Sequence, residues 1–188
     1  MAKILLGVCG SIAAFKAVDL ASKLTQEGHL VRAILTQNAQ KFISPLSLDY
    51  VCRQKAVLAQ FSGADFRLED DHIALADWAD ILVVAPATAD ILGKCACGIA
   101  DDVLSTVALA LDMRIPRLFA PAMNHRMYAH PLVQKNIRTL RELGYHILPT
   151  SSGHLACGHQ GEGRLLEVPD ILQSIERLLE EAENSIES

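Results

Sequence analysis

The sequence predicts an α/β fold in which helices cover both faces of a central parallel sheet. Three observations carry this. Short apolar runs alternate with segments of helical period, the first pair is joined by a glycine turn, and two later apolar runs end in near-identical small-residue turns. At 188 residues and 51% hydrophobic content, the chain can fill one core and is short for two, so one domain is expected over 1–188. Its core should run from about residue 3 to 181, ahead of a short polar tail.

Lys3 to Val8 is an apolar strand running into Gly7-Val8-Cys9-Gly10-Ser11, and Ile12 to Glu27 follows with Ile12, Phe15, Leu20 and Leu24 at helical spacing. Gly28 closes that helix and Leu30 to Leu35 reads as a second strand, which completes a βαβ unit. Phe42 to Val51 looks helical, Ala56 to Phe61 extended, and Phe66 to Asp71 a charged loop. Ile81 to Ala85 is a strand ending in Pro86-Ala87-Thr88, and Arg117 to Ala120 is another ending in Pro121-Ala122-Met123-Asn124. Helices are expected over Ala89 to Ala96, Asp101 to Leu111 and Pro131 to Leu143, with a last strand at Tyr145 to Leu148. Ser151 to Gly163, rich in Gly and His, reads as a loop, and Pro169 to Ala182 as a terminal amphipathic helix.

Composition narrows the partners. A net charge of −5 with no basic stripe gives no electrostatic reason to bind nucleic acid, and no apolar stretch approaches the length that spans a bilayer. With no leader pattern at its start, the chain is expected in the cytoplasm. Five irregularly spaced cysteines argue against a disulfide framework. Cys95 and Cys97, two apart on a helix, point to different faces, and the histidines at 125, 130, 146, 154 and 159 show no metal-ligand spacing, so no metal is expected.

In an open parallel sheet, ligands sit beyond the carboxyl ends of the strands where strand order reverses. The glycine turn and both Ala-Pro-Ala turns belong to that rim. A glycine turn opening a helix suits a phosphate, through backbone N–H groups, the Ser11 hydroxyl and the helix dipole. The three-glycine dinucleotide spacing and an acid at the end of the second strand are both missing. Thr36-Gln37-Asn38-Ala39 stands there instead, a neutral set suited to a phosphate or a flavin edge, so a mononucleotide is the better fit. Taken singly, each feature has a plainer reading: the glycine turn as a connection, Thr36 and Asn124 as helix caps, His72 as a solvated histidine in an acidic stretch, Cys157 as a small buried residue.

Six segments in order, GVCGSIAAFKA (7–17), LTQNAQKF (35–42), HIALADWAD (72–80), APATADILGKCACGIADDVLS (85–105), APAMNHRMY (120–128) and LACGHQGEGRL (155–165), resemble the homo-oligomeric flavin-containing cysteine decarboxylases. The resemblance runs from Lys3 to about Arg164. It implies a Rossmann-like (flavodoxin-like) three-layer sandwich holding FMN, with the phosphate at Gly10, Ser11 and Ile12 near Thr36 and Ala39. Phe42, Ala87, Thr88, Ala89, Asp90 and Ala122 would surround the rest of the cofactor. It assigns Asn124 to the substrate carboxylate, with Met123 and Ala156 beside it, His72 to thiol deprotonation, and Cys157 to proton donation from a mobile flap. The family commonly has Asn at the position of Asp90 and Trp at that of Tyr128.

The implied reaction is decarboxylation of 4′-phosphopantothenoyl-L-cysteine to 4′-phosphopantetheine in coenzyme A biosynthesis. The thiol-bearing carbon is oxidised to a thioaldehyde, CO2 leaves to give an enethiolate, and the electrons are returned. The resemblance also implies a homo-trimer or dodecamer, with His72 serving a neighbouring subunit's site, and a phosphopantothenate-cysteine ligase as a possible separate partner. Three other readings stay open: a peptidyl-cysteine decarboxylase, a flavin prenyltransferase, and a non-catalytic flavin-binding regulatory subunit.

Overall fold

The computed structural model describes residues 1–59, 71–154 and 160–186, with the backbone alone at 154, 160, 185 and 186. Its centre is a parallel sheet of order β2-β1-β3-β4-β5, formed by β1 (Lys3–Val8), β2 (Leu30–Leu35), β3 (Ile81–Ala87), β4 (Arg117–Pro121) and β5 (His146–Ile147). The inner strands are apolar at successive positions because both faces are covered; all seven residues of β3 are buried.

Even-numbered Ile4, Leu6 and Val8 of β1 meet one face of helices, α1 (Phe15–Gln26), α2 (Pro45–Cys52) and α8 (Val168–Ile186). Leu5, with Leu82 and Val84 of β3 and Phe119 of β4, meets the other face, α3 (His72–Trp78), α4 (Ala89–Cys97), α5 (Val103–Ala110) and α7 (Pro131–Glu142). The period-two alternation of strand side chains therefore separates two cores. Each fully buried Leu or Ile contributes roughly 1.5–3 kcal/mol. Gly7 lets the second layer close: a Cβ there would meet Leu104 Cδ1 of α5 at 2.5 Å.

Several expectations need correction. The first helix begins as a 3-10 turn, Ile12–Ala14, before α1, and Ile12 (60% exposed) and Phe15 (62%) stand outside the core that Leu20 and Leu24 join. Phe15 lies in α1 itself, but five residues before Leu20 is about 140° round the helix, so it faces away from Leu20 and Leu24, and Ile12 sits in the tighter turn ahead of it. The helix expected from Phe42 to Val51 is present as α2 but starts three residues later, at Pro45, and a 3-10 turn, Ala39–Lys41, precedes it. No helix was expected over α3, which starts from an Asp71 cap. β3 and β4 run on through Pro86 and Pro121, β5 is only two residues long, and α8 exceeds its expected span at both ends.

The expected loop of 151–163 contains two strands, β6 (Ser151–His154) and β7 (Gln160–Arg164), paired antiparallel. Neither has an apolar alternation to betray it; backbone pairing and the contacts of β7 described below hold it. Of the expected extended segment at 56–61, Val57 pairs with Ile34 beyond β2, and the rest of it from residue 60 lies outside the described residues, as does the charged loop up to residue 70. Among the described residues no helix is long and apolar enough to cross a membrane.

Candidate active site at the strand-end rim

Strand order reverses between β1 and β3, since β2 flanks β1 on one side and β3 on the other. The crevice of such a sheet opens there, at the carboxyl ends. A row of backbone hydrogen bonds fastens the rim turns in sequence: Thr36 N–H to Val8 O (3.1 Å), Cys9 N–H to Pro86 O (3.3 Å), Ala122 N–H to Ala87 O (2.9 Å) and Met123 N–H to Gly163 O (2.9 Å). Turns far apart in sequence are thus held at fixed spacing along one edge. Loops placed this way by a rigid scaffold are where binding residues concentrate.

At the first turn, Ser11 is the N-cap of the 3-10 turn, its Oγ accepting from Ala13 N–H at 3.2 Å, while its own N–H goes to Cys9 O. Gly10 is crowded by the neighbouring turn: a Cβ there would lie 2.5 Å from Asn38 Cβ and 3.0 Å from Asn38 C. Thr36 holds that neighbouring turn, its carbonyl and Oγ1 both accepting from Ala39 N–H. The two turns form a close cradle in which only glycine fits, with a hydroxyl and the start of α1 directed to the rim. That donor set suits the phosphate of FMN. Phe42, half exposed, ends the turn that follows Thr36, its N–H donating to Ala39 O.

The methyl groups of Ala39, Ala87 and Ala122 are buried in the two cores. Their contribution to a cofactor is therefore their backbone, brought close because the side chains are small. Thr88 caps α4 by position, and its hydrogen bonds to Cys9 oppose a burial that nonetheless pushes the Cys9 thiol up to about 12. Cys9 is thus a protonated packing residue at neutral pH. Ala89 is half-buried, and Asp90 is exposed over 68% of its side chain, 3.3 Å from Lys94 Nζ.

Beyond β4, the Asn124 side chain accepts from Arg126 N–H at 2.9 Å and caps the short helix α6 (His125–Tyr128), so the plainer reading of this residue holds in its geometry. The cap fixes Oδ1 as the acceptor, which makes Nδ2 the end of the amide able to donate to a carboxylate. Met123 and Tyr128 pack partly against the second core. β7 clasps this turn: Gly163, at φ +113, leaves no room for a Cβ beside Met123 O, and a Cβ on Gly161 would meet His125 Cβ at 3.0 Å. Sequence reasoning missed these two glycines, although Gly-Glu-Gly within a polar stretch signals close backbone approach.

His72 opens α3, with Nδ1 2.9 Å from Asp71 Oδ1. An aspartate at Nδ1 orients the ring and favours a proton on that nitrogen. The structure thus brings together Gly10, Ser11, Ile12, Thr36 and Ala39, and joins Ala87 to Ala122 and Met123 to the hairpin. His72 stands apart on α3, which packs against α5, whereas Asn124 leads into α6, which packs against β7. Cys157 and Ala156 lie outside the described residues. Among the described residues, the grouping that could offer three metal ligands is Glu27, His29 and Glu176, away from the rim, and there both His29 ring nitrogens are engaged, by Ala2 N–H and Glu176.

The flavoprotein family pattern matches residues 1–180. Over 177 residues the chain is 44% identical to a probable phosphopantothenoylcysteine decarboxylase of Streptococcus mutans, covering 94% of this chain and 98% of that protein. It is 45% identical over 174 residues to the coenzyme A biosynthesis bifunctional protein of Bacillus subtilis, of which it spans 42%, less than half the length. Among solved structures it resembles a PPC decarboxylase mutant complexed with pantothenoylaminoethenethiol (TM-score 0.82, 34% identity, 95% of this chain and 98% of that one). It also resembles the FMN-dependent cysteine decarboxylase SpaF (TM-score 0.78, 33% identity, 97% of each chain).

Proposed function

The chain belongs to the flavoprotein family, and from that premise we propose that it is an FMN-dependent decarboxylase converting 4′-phosphopantothenoyl-L-cysteine to 4′-phosphopantetheine. The observation that carries this is the fastened rim, with a phosphate cradle at Gly10 and a carboxamide at Asn124, in a chain matching a probable phosphopantothenoylcysteine decarboxylase over 98% of that protein's length. The small-molecule substrate is favoured over a cysteine-ending peptide because the relative that is 44% identical and matched over 98% of its length is named a probable phosphopantothenoylcysteine decarboxylase.

Bound FMN supplies a two-electron sink at the thiol-bearing carbon, so that loss of CO2 need not leave an unstabilised carbanion. The protein's own groups do the rest. Gly10, Ser11 and Ile12, with Thr36 and Ala39, hold the cofactor phosphate; Phe42, the Ala87–Asp90 turn and Ala122 border the remainder. Asn124 orients the substrate carboxylate by neutral hydrogen bonding, which holds it without a charge pair that would resist its departure. Met123 and Ala156 flank the substrate. His72, through Nε2, accepts the thiol proton, and Cys157 returns a proton to carbon.

Ile12, Phe15 and Phe42 are large, apolar and exposed beside the rim, which supports a homo-oligomer, trimer or dodecamer, with His72 completing a neighbour's site. The unit acts as a single flavoprotein domain over 1–188, in the cytoplasm, with a phosphopantothenate-cysteine ligase as its functional partner. The substrate assignment is tested by comparing kcat/KM for phosphopantothenoylcysteine and for a peptide with a C-terminal cysteine. A preference of at least a hundredfold for the small molecule is expected; a preference for the peptide would overturn the assignment.

A further inference from the structure

Lys94 is a partly buried cation, its side chain 18% exposed, placed among three carboxylates: Asp102 Oδ2 at 2.7 Å, Asp101 Oδ1 at 2.9 Å and Asp90 Oδ2 at 3.3 Å. Asp90 and Lys94 lie one turn apart on α4, and a helical side chain covers the turn preceding its own Cα. The ammonium therefore sits towards the rim end of the helix, beside the turn from Ala87 to Asp90. The two oxygens of Asp102 have separate tasks: Oδ1 accepts from Ser105 N–H at 2.9 Å and caps α5, while Oδ2 receives Lys94. The Ser105 hydroxyl in turn accepts from Asp102 N–H, closing a capping box. α5 then seats Leu104 against Gly7 of β1. One ammonium thus links the start of α4, through the cap of α5, to the strand that carries the Gly10 turn.

We propose that Lys94 is the positioning residue of the cofactor-facing turn at the start of α4: it tethers that turn to the capped end of α5 and offsets part of the charge on Asp90, so that this chain tolerates an acid beside the cofactor. The part concerning FMN rests on the function proposed above. Burial works against the charge on Lys94, but hydrogen bonds to Asp102 and Asp101 outweigh it and hold the ammonium above its ordinary range, so the cation persists at any pH of interest. Without it, three carboxylates would face one another, and Asp90, the most exposed of them, would carry uncompensated negative charge at the place where electrons are to be accepted.

The test uses the full chain with Lys94→Met, Lys94→Arg and the double variant Asp90→Asn/Lys94→Met. In the apo-protein, hydrogen exchange at Leu92 N–H, which donates to Thr88 O, should speed up at least tenfold in Lys94→Met while α8 is unchanged. Lys94→Arg should restore protection. With FMN bound, Lys94→Met should weaken affinity roughly tenfold and shift the flavin midpoint potential to more negative values. Adding Asp90→Asn should return the potential towards wild type while leaving the exchange fast. Wild-type exchange in Lys94→Met would overturn the tether, and an unchanged potential in Lys94→Met would overturn the charge compensation. A wild-type protein that took up no FMN would overturn the proposed function and the compensation together, with the exchange result still deciding the tether.

Discussion

Replacing Gly10 with alanine probes the cradle where two rim turns meet. The added Cβ would lie 2.5 Å from Asn38 Cβ and 3.0 Å from Asn38 C. Ordinary carbon contacts begin near 3.5 Å, so one turn must retreat by about 1 Å. The Asn38 turn is held by Thr36 at its start and by Lys41 Nζ on Asn38 Oδ1 (2.9 Å), and the Gly10 turn by Cys9 N–H on Pro86 O, so neither moves without losing a bond. The strain should cost about 1–3 kcal/mol of stability. A shift of that size misplaces the donors around the phosphate by about one hydrogen bond to a charged group, 1.5–3 kcal/mol, or roughly 10- to 150-fold in FMN affinity. Flavin fluorescence quenching measures the affinity and urea denaturation of the apo-protein the stability. Asn38→Gly in the same chain removes the nearer contact and should recover part of the affinity. Gly10→Ala protein binding FMN within twofold of wild type would refute the cradle.

Three further outcomes are expected. Gly163→Ala, at φ +113 against Met123 O, should lower kcat/KM by at least tenfold by parting β7 from the Asn124 turn; Gly28→Ala, at φ +90 with nothing within 4 Å, should strain the backbone and leave activity intact. Arg117 is buried, with its guanidinium donating to the carbonyls of Ala108, Leu111, Asp112 and Ile115, so Arg117→Met should cost about 2–4 kcal/mol in urea denaturation. Burial pushes the thiols of Cys9, Cys52 and Cys95 up to about 12, so the folded chain holds these protons more tightly than the unfolded chain. Their contribution is intact below the unfolded thiol value near 8.5 and is lost as pH rises from there towards 12, so the urea midpoint should fall across that window. At pH 8, alkylation followed by mass spectrometry should find exposed Cys97 modified ahead of all three.

The parallel sheet and its rim were legible because both rest on local chemistry. Apolar runs of strand length, a glycine turn and proline-alanine turns write their signals within a few residues. What was hidden depends on tertiary contacts. Ile12 and Phe15 were grouped with Leu20 and Leu24, yet Ile12 sits in a 3-10 turn and Phe15 on the opposite side of α1, both outside the core. β6 and β7 have no apolar pattern, and β7 is fixed by its fit to Met123 and His125. Of the candidate site, the turns were visible in the sequence, whereas the pairing of Asp71 with His72 and the convergence on Lys94 were not. Charged residues on a helix ordinarily read as a solvated face, and only folding brings Asp102 back to Lys94.

The most direct test of the central claim is anaerobic addition of phosphopantothenoylcysteine to the FMN-loaded protein, with CO2 and phosphopantetheine measured together. The account predicts one CO2 per phosphopantetheine formed, over many turnovers, in the yellow protein and in none of the flavin-free protein. A flavin-loaded protein that leaves the substrate carboxylate in place, or a flavin-free protein that turns over equally well, would contradict it.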